Sequence, residues 1–342
     1  MRDPEEHFCM PKQRIVPNCN SCPYHLLGKM TDDSHRVKVA GSMNRLGNAV
    51  IEEHHGKAIQ VLTSSHRPRM GAMHGFTLGR KLDVNYPTNR WVIIITLVLM
   101  LGVWLQMGSM LAGVQVGLGF FLCWALAREV DPAHDFSAFL ATAFYLLSLL
   151  SFDGLELSLL FSLLLLLRSI SGVCGRATTL VDQGVLFGFT AYLLVFRDSG
   201  VYPALLSLGL YLALLRDNVH PPARAMGRVL ALISILASVL WPWQAGIAVQ
   251  HASLFHGFIG IFVLGISLTH YVALTTDTGM HDDMGKPLMT YRVQRSHAFY
   301  TMALLALLLW ENLSLATYIL LISVLLGTGI YRTLVSCIGR AS

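Results

Sequence analysis

The sequence predicts an all-α polytopic membrane protein of about ten transmembrane helices, with both termini cytoplasmic and a division into two inverted five-helix halves. Three observations lead there. Hydrophobic residues make up 54% of the 342 and charged ones 13%, whereas a soluble domain carries about 25% charged residues. The apolar residues lie almost entirely beyond residue 90, in runs of spanning length. The basic residues between those runs fall on alternate loops. A secreted disulfide scaffold, a disordered chain and an ordinary cytosolic enzyme are thereby excluded.

Residues 1–90 form a basic, His-rich segment read as a disordered cytoplasmic tail. They hold 13 of the 25 Lys and Arg, 8 of the 20 Asp and Glu and 7 of the 14 His, so the net charge of +5 arises wholly there. Basic residues beside a first span hold that end in the cytoplasm, so no nucleic-acid partner is needed to account for them. The chain opens on Arg2, Asp3, Glu5 and Glu6 with no apolar stretch behind them, so no signal peptide is expected. The change of texture near residue 90 also fits a gene-start artefact, with translation beginning at Met70 or Met73. Cys9, Cys19, Cys22 and His25 have the ligand types of a Cys3His zinc site. A second paired knuckle is missing, and a reduced tail explains them equally.

Ten runs follow, at about 91–107, 109–127, 136–152, 155–168, 180–196, 200–215, 227–247, 252–275, 296–310 and 313–333. A single crossing takes about 20 apolar residues. The 37 residues from Trp91 to Ala127 are too many for one span, so Gly108-Ser109 is read as a break. With the N-terminus inside, the inner loops carry eleven Lys and Arg, from Arg128 to Arg340, and the outer loops only Arg197. The positive-inside rule predicts that partition. Gly113-x3-Gly117, and Gly257, Gly260 and Gly265, are spaced for close helix contact.

No run has a charged residue near its centre, so the candidate substrate-binding residues lie at the inner ends: Arg128, Asp131, His134 and Asp135; Arg168, Arg176 and Asp182; Asp277, His281, Asp282 and Asp283. Asp131 and Asp135, one helical turn apart, and the 277–283 cluster have the carboxylates to hold Mg²⁺ against a phosphorylated substrate. Arg168 and Arg176 bracket a run of small residues suited to an anion. The plain alternative is a solvated loop face, with Asp131-Pro132 stopping one helix and Asp135 capping the next. His256 and His270 are 14 residues apart, on one helix face, as a helix holding two stacked haems requires. No facing pair exists, since His134, His220, His281 and His297 fall at loops or a helix end. Packed histidines are the default, and no cofactor is specified.

No catalytic residue stands out. Ten helices with both ends inside, split at the Arg197–Val201 turn, suit a permease-like protein for a small solute. The alternatives are a membrane-embedded enzyme acting on a phosphorylated or lipid substrate at the cytoplasmic face, and a non-catalytic membrane subunit of a larger complex. The partners expected are the bilayer and other membrane subunits. The short loops suggest a bacterial cytoplasmic (inner) membrane.

Overall fold

The structure, a computed structural model, describes residues 75–80, 84–216, 219, 221–241, 254–274, 282 and 285–341. The chain divides into two compact units, Met1–Arg69 and Met70–Ser342, and the described residues belong to the second. The cysteine and histidine ligands of the zinc reading therefore lie outside them.

The described residues are helical and contain no strand. Ten α-helices follow in order: α1 Pro87–Met107, α2 Met110–Val130, α3 Asp135–Tyr145, α4 Leu157–Ser171, α5 Leu180–Arg197, α6 Val201–Leu214, α7 Pro221–Leu240, α8 Leu254–Leu274, α9 Thr290–Trp310 and α10 Leu315–Ala341. Each expected apolar run falls on one of them. Five, namely α1, α2, α5, α7 and the Leu315–Val335 part of α10, are long and apolar enough to cross a membrane. Others are shorter than the runs implied. The 14 residues of α6 rise only about 20 Å, and α3 passes at Leu146 into a 3₁₀ turn that ends at Ser151.

The Gly108-Ser109 break is real and has a clear local cause. Gly108 takes a left-handed conformation (φ 65°) and closes α1 with its N–H on the Trp104 carbonyl, a geometry that costs a residue with Cβ. Ser109 then caps α2, its hydroxyl accepting from the Ala112 N–H. The hairpin that results is held by small residues. A Cβ on Gly117 would come within 2.9 Å of the Thr96 carbonyl oxygen, and Gly113 meets Met100 and Trp104 as closely. Gly260 and Gly265 of α8 do not work this way. Gly260 would meet only Leu305 at 3.8 Å, and Gly265 faces open space.

The core gathers where α2, α4, α9 and α10 meet. Phe120, Leu126, Leu160, Leu164, Phe299, Tyr300, Leu304 and Leu320 are buried there. In contrast, α1 turns Trp91, Leu97, Val98, Leu101 and Leu105 outward. Extensive packing crosses the Arg197–Val201 turn: α10 lies along α3 and α2, and α9 packs on α4. The two sequence halves thus share one core and do not form separate bodies.

Candidate functional site

Polar contacts sort the helix ends onto two opposite layers. One layer joins the α2–α3 and α4–α5 turns, the ends of α6 and α10 and the start of α7. The other joins the α3–α4, α5–α6 and α9–α10 turns and the end of α7. Of the eight candidate residues that the structure describes, all but Asp282 lie in the first layer.

At the α2–α3 turn the two aspartates part company. Asp131 is the C-cap of α2 and is fully buried. Its Oδ1 accepts from Arg332 Nη2 of α10 at 2.6 Å and lies 3.2 Å from His134 Nδ1. The His134 ring also meets Tyr331 of α10, 5.3 Å between centroids. Asp135 faces elsewhere, bridged to Arg128 and accepting from the Tyr86 hydroxyl at 2.6 Å. That hydrogen bond to the carboxylate raises the Tyr86 pKa, helped by burial. The capping reading needs correction, because His134 is the N-cap of α3 and Asp135 its first residue.

At the α4–α5 turn Arg168 donates from Nε to Glu129 Oε1 (3.1 Å) and from Nη1 to the Leu78 carbonyl (3.1 Å). Ser171 donates to the other Glu129 oxygen, also at 3.1 Å. The small-residue loop receives a guanidinium. Gly172 (φ 67°) leaves room for the Arg216 guanidinium, which donates to the carbonyls of Ser169 (3.0 Å) and Arg176 (3.4 Å). Burial lowers the Arg216 pKa, but a guanidinium stays charged. The Arg176 side chain is exposed.

Asp182 is a fastener. It forms a capping box with Thr179 at the start of α5. The same carboxylate accepts from Thr77 N–H (2.7 Å), Thr77 hydroxyl (2.6 Å) and Leu78 N–H (3.3 Å). Residues 75–80, which the sequence reading assigned to the tail, are thereby strapped onto the helical unit. Replacing Asp182 by Ala breaks the capping box at the start of α5 and takes away the acceptor of the Thr77 and Leu78 amides. Hydrogen exchange at those two amides is expected to accelerate sharply. Exchange as slow as in the unaltered chain would refute the strap.

Asp282 makes a local turn, accepting from Lys286 N–H at 2.8 Å. Asp277, His281 and Asp283 lie outside the described residues, as do the side chains of His256 and His270. Among the described residues no three His, Cys, Asp or Glu side chains converge as metal ligands. The carboxylates of this layer are held by guanidiniums and backbone amides.

Sequence reasoning missed Glu129, Arg216 and Arg332 as partners, and misjudged His297. Glu129 adjoins Arg128 in sequence but meets Arg168 and Ser171 of α4, whereas Arg128 meets Asp135. Its signal was an acid at the end of an apolar helix. His297 is not terminal. It sits inside α9, fully buried, with Nε2 2.9 Å from the Ser267 hydroxyl oxygen of α8.

The second layer is also stitched. Asp153 accepts from the first free amides of α10, Leu315 (2.9 Å) and Ala316 (3.1 Å). Arg197 pairs with Glu156, and the Tyr202 hydroxyl donates to Glu311 at 3.0 Å. Burial raises the Glu311 pKa. Trp241 donates to Asp198 at 2.8 Å, tying the end of α7 to the α5–α6 turn. At its other end α7 is tied to α5 by Gln183, which donates to the Ala223 carbonyl at 2.7 Å.

Between these ties, a groove of about 540 Å³ runs along the α6–α7 hairpin. Leu208, Leu214, Ala231, Leu232 and Ile235 make it apolar, while Ser207, Tyr211, Arg228 and Ser238 supply the polar groups. It extends from Ala204 to Leu214 on α6 and from Arg228 to Ser238 on α7, roughly 15 Å in each case. A hollow of about 200 Å³ adjoins it on the α9 side of α6 and shares Ala204 and Leu208. The 540 Å³ of the α6–α7 groove falls within the range of small-molecule pockets. Comparison with protein-family models, curated proteins and solved structures gives no match.

Proposed function

We propose that the chain is a ten-span membrane protein with both termini in the cytoplasm, and that it works as a permease-like protein for a small amphipathic solute. Alternation of the helix ends between two polar layers supports ten crossings. The short helices are acceptable because neighbours shelter them and the bilayer adapts to mismatch. The layer rich in arginine, with Arg128, Arg168, Arg216 and Arg332, is then the cytoplasmic one.

The observation that carries the solute class is the α6–α7 groove. Among the described residues the carboxylates of the arginine-rich layer are engaged by arginine, hydroxyl and amide donors, and a largely apolar hollow about half the depth of a ~30 Å hydrocarbon layer offers a place for a ligand. Such a ligand enters sideways from the bilayer, and an amphiphile fits that route better than a hydrophilic ion.

The test uses the full chain with Cys337, which is exposed near the C-terminus, as its sole cysteine. In intact cells a membrane-impermeant maleimide should label it only after permeabilisation. Reconstituted into vesicles, the same protein should exchange octanesulfonate faster than protein-free vesicles do. Labelling of intact cells would overturn the orientation, and exchange equal to empty vesicles would overturn the permease reading.

A further inference from the structure

Resting on the reading of the α6–α7 groove as the solute site, we infer that its ligand is an anionic membrane lipid of the cytoplasmic leaflet, held with its phosphate at Arg228 and one chain along the groove. Arg228 lies at the end of the groove marked by Leu214, the last residue of α6. That end belongs to the arginine-rich layer, since Arg216 two residues on is bound to the α4–α5 turn. The lining of the groove beyond it is apolar apart from hydroxyls.

Arg228, which lines the groove, differs from the arginines that hold that layer together. Arg128, Arg168 and Arg332 each meet a carboxylate, and Arg216 meets two carbonyls. Arg228 is exposed and has no ion pair among the described residues. Arg224 stands one turn earlier, on the same face of α7. A long basic side chain with its stem along apolar surface places its charge at headgroup level, and there it attracts anionic lipid. Tyr211, on the same half of the groove, adds a hydroxyl beside an apolar ring, the usual preference of tyrosine at an interface.

The arrangement has the polarity of a phospholipid, with one charge at the membrane surface and an apolar trough about 15 Å long behind it. A zwitterionic lipid would fill the trough equally but would bring its own cation to Arg228. Charge complementarity therefore selects the anionic lipid, and that selectivity weakens as salt screens an exposed charge.

The experiment uses the full chain in phosphatidylcholine vesicles containing a trace of spin-labelled lipid, and reads the protein-immobilised fraction. Spin-labelled phosphatidylglycerol should be held about fivefold more strongly than spin-labelled phosphatidylcholine, the contribution of one basic residue near the surface. Arg228→Gln should bring the two lipids to parity, and Arg228→Lys should preserve the preference. Ala231→Trp, which fills the trough, should lower the immobilised fraction of both lipids by the groove's share, leaving the lipid held on the outer helix faces. If Ala231→Trp lowers it but Arg228→Gln leaves the preference intact, the anion assignment fails and the groove reading stands. If Ala231→Trp changes nothing, both fall.

Discussion

Asp131→Ala is expected to destabilise the protein by about 3–5 kcal/mol, the cost of leaving one member of a buried ion pair without its partner. The Arg332 guanidinium, 2.6 Å from Asp131 and 5% exposed, would keep its charge inside the α2–α3–α10 junction without the Asp131 carboxylate. Arg332→Met should cost a similar amount by taking the guanidinium from the aspartate. The double variant Asp131→Leu with Arg332→Met should recover most of the loss, because an apolar replacement of both partners avoids the desolvation cost. Equilibrium unfolding in mild detergent, read as a double-mutant cycle, measures this. If the two single effects simply add, the pair is not coupled and the inner layer is not held as described.

Gly327→Leu should have the second largest effect. On α10 a Cβ at this position would fall 2.7 Å from the Ala141 Cβ and closer still to the Ala141 backbone. Backbone cannot swing aside as a side-chain tip can, so α3 and α10 must separate. Overpacking of this kind costs about 1–3 kcal/mol or more, and it acts on the most extensive contact α10 makes. Gly265→Ala provides the contrast. Its Cβ meets nothing within 4 Å, and removing a mid-helix glycine gains up to about 1 kcal/mol. The same unfolding measurement on both variants decides it, and equal shifts would mean the α3–α10 contact is not close-packed.

Local signals in the sequence were enough to place the helices. Apolar runs separated by turn chemistry located all ten, and the Gly108-Ser109 pair marked a break because a left-handed glycine followed by a serine cap can be recognised without tertiary information. Helix lengths were less legible. Whether residues 146–151 continue an α-helix or tighten into a 3₁₀ turn depends on neighbours that periodicity does not encode.

The site was legible as a set of residues and illegible as a set of pairs. Arg128, Asp131, His134, Asp135, Arg168 and Asp182 do gather on one layer. Their spacing suggested that Asp131 and Asp135 act together, whereas a cap between them turns one toward α10 and the other toward Arg128 and Tyr86. The partner that decides the character of Asp131 is 201 residues away. The groove was harder still, since small and apolar residues such as Ala204, Leu208 and Ala231 carry no chemical signature until two helices set them side by side.

That long separation has a consequence for how the protein is made. Ribosomes add about 5–20 residues per second, so some 10–40 s pass between synthesis of Asp131 and emergence of the arginine that neutralises it. Throughout that interval the nascent α2–α3 hairpin presents Asp131 without the Arg332 guanidinium. A messenger cut short before α10 would yield a chain held in that condition.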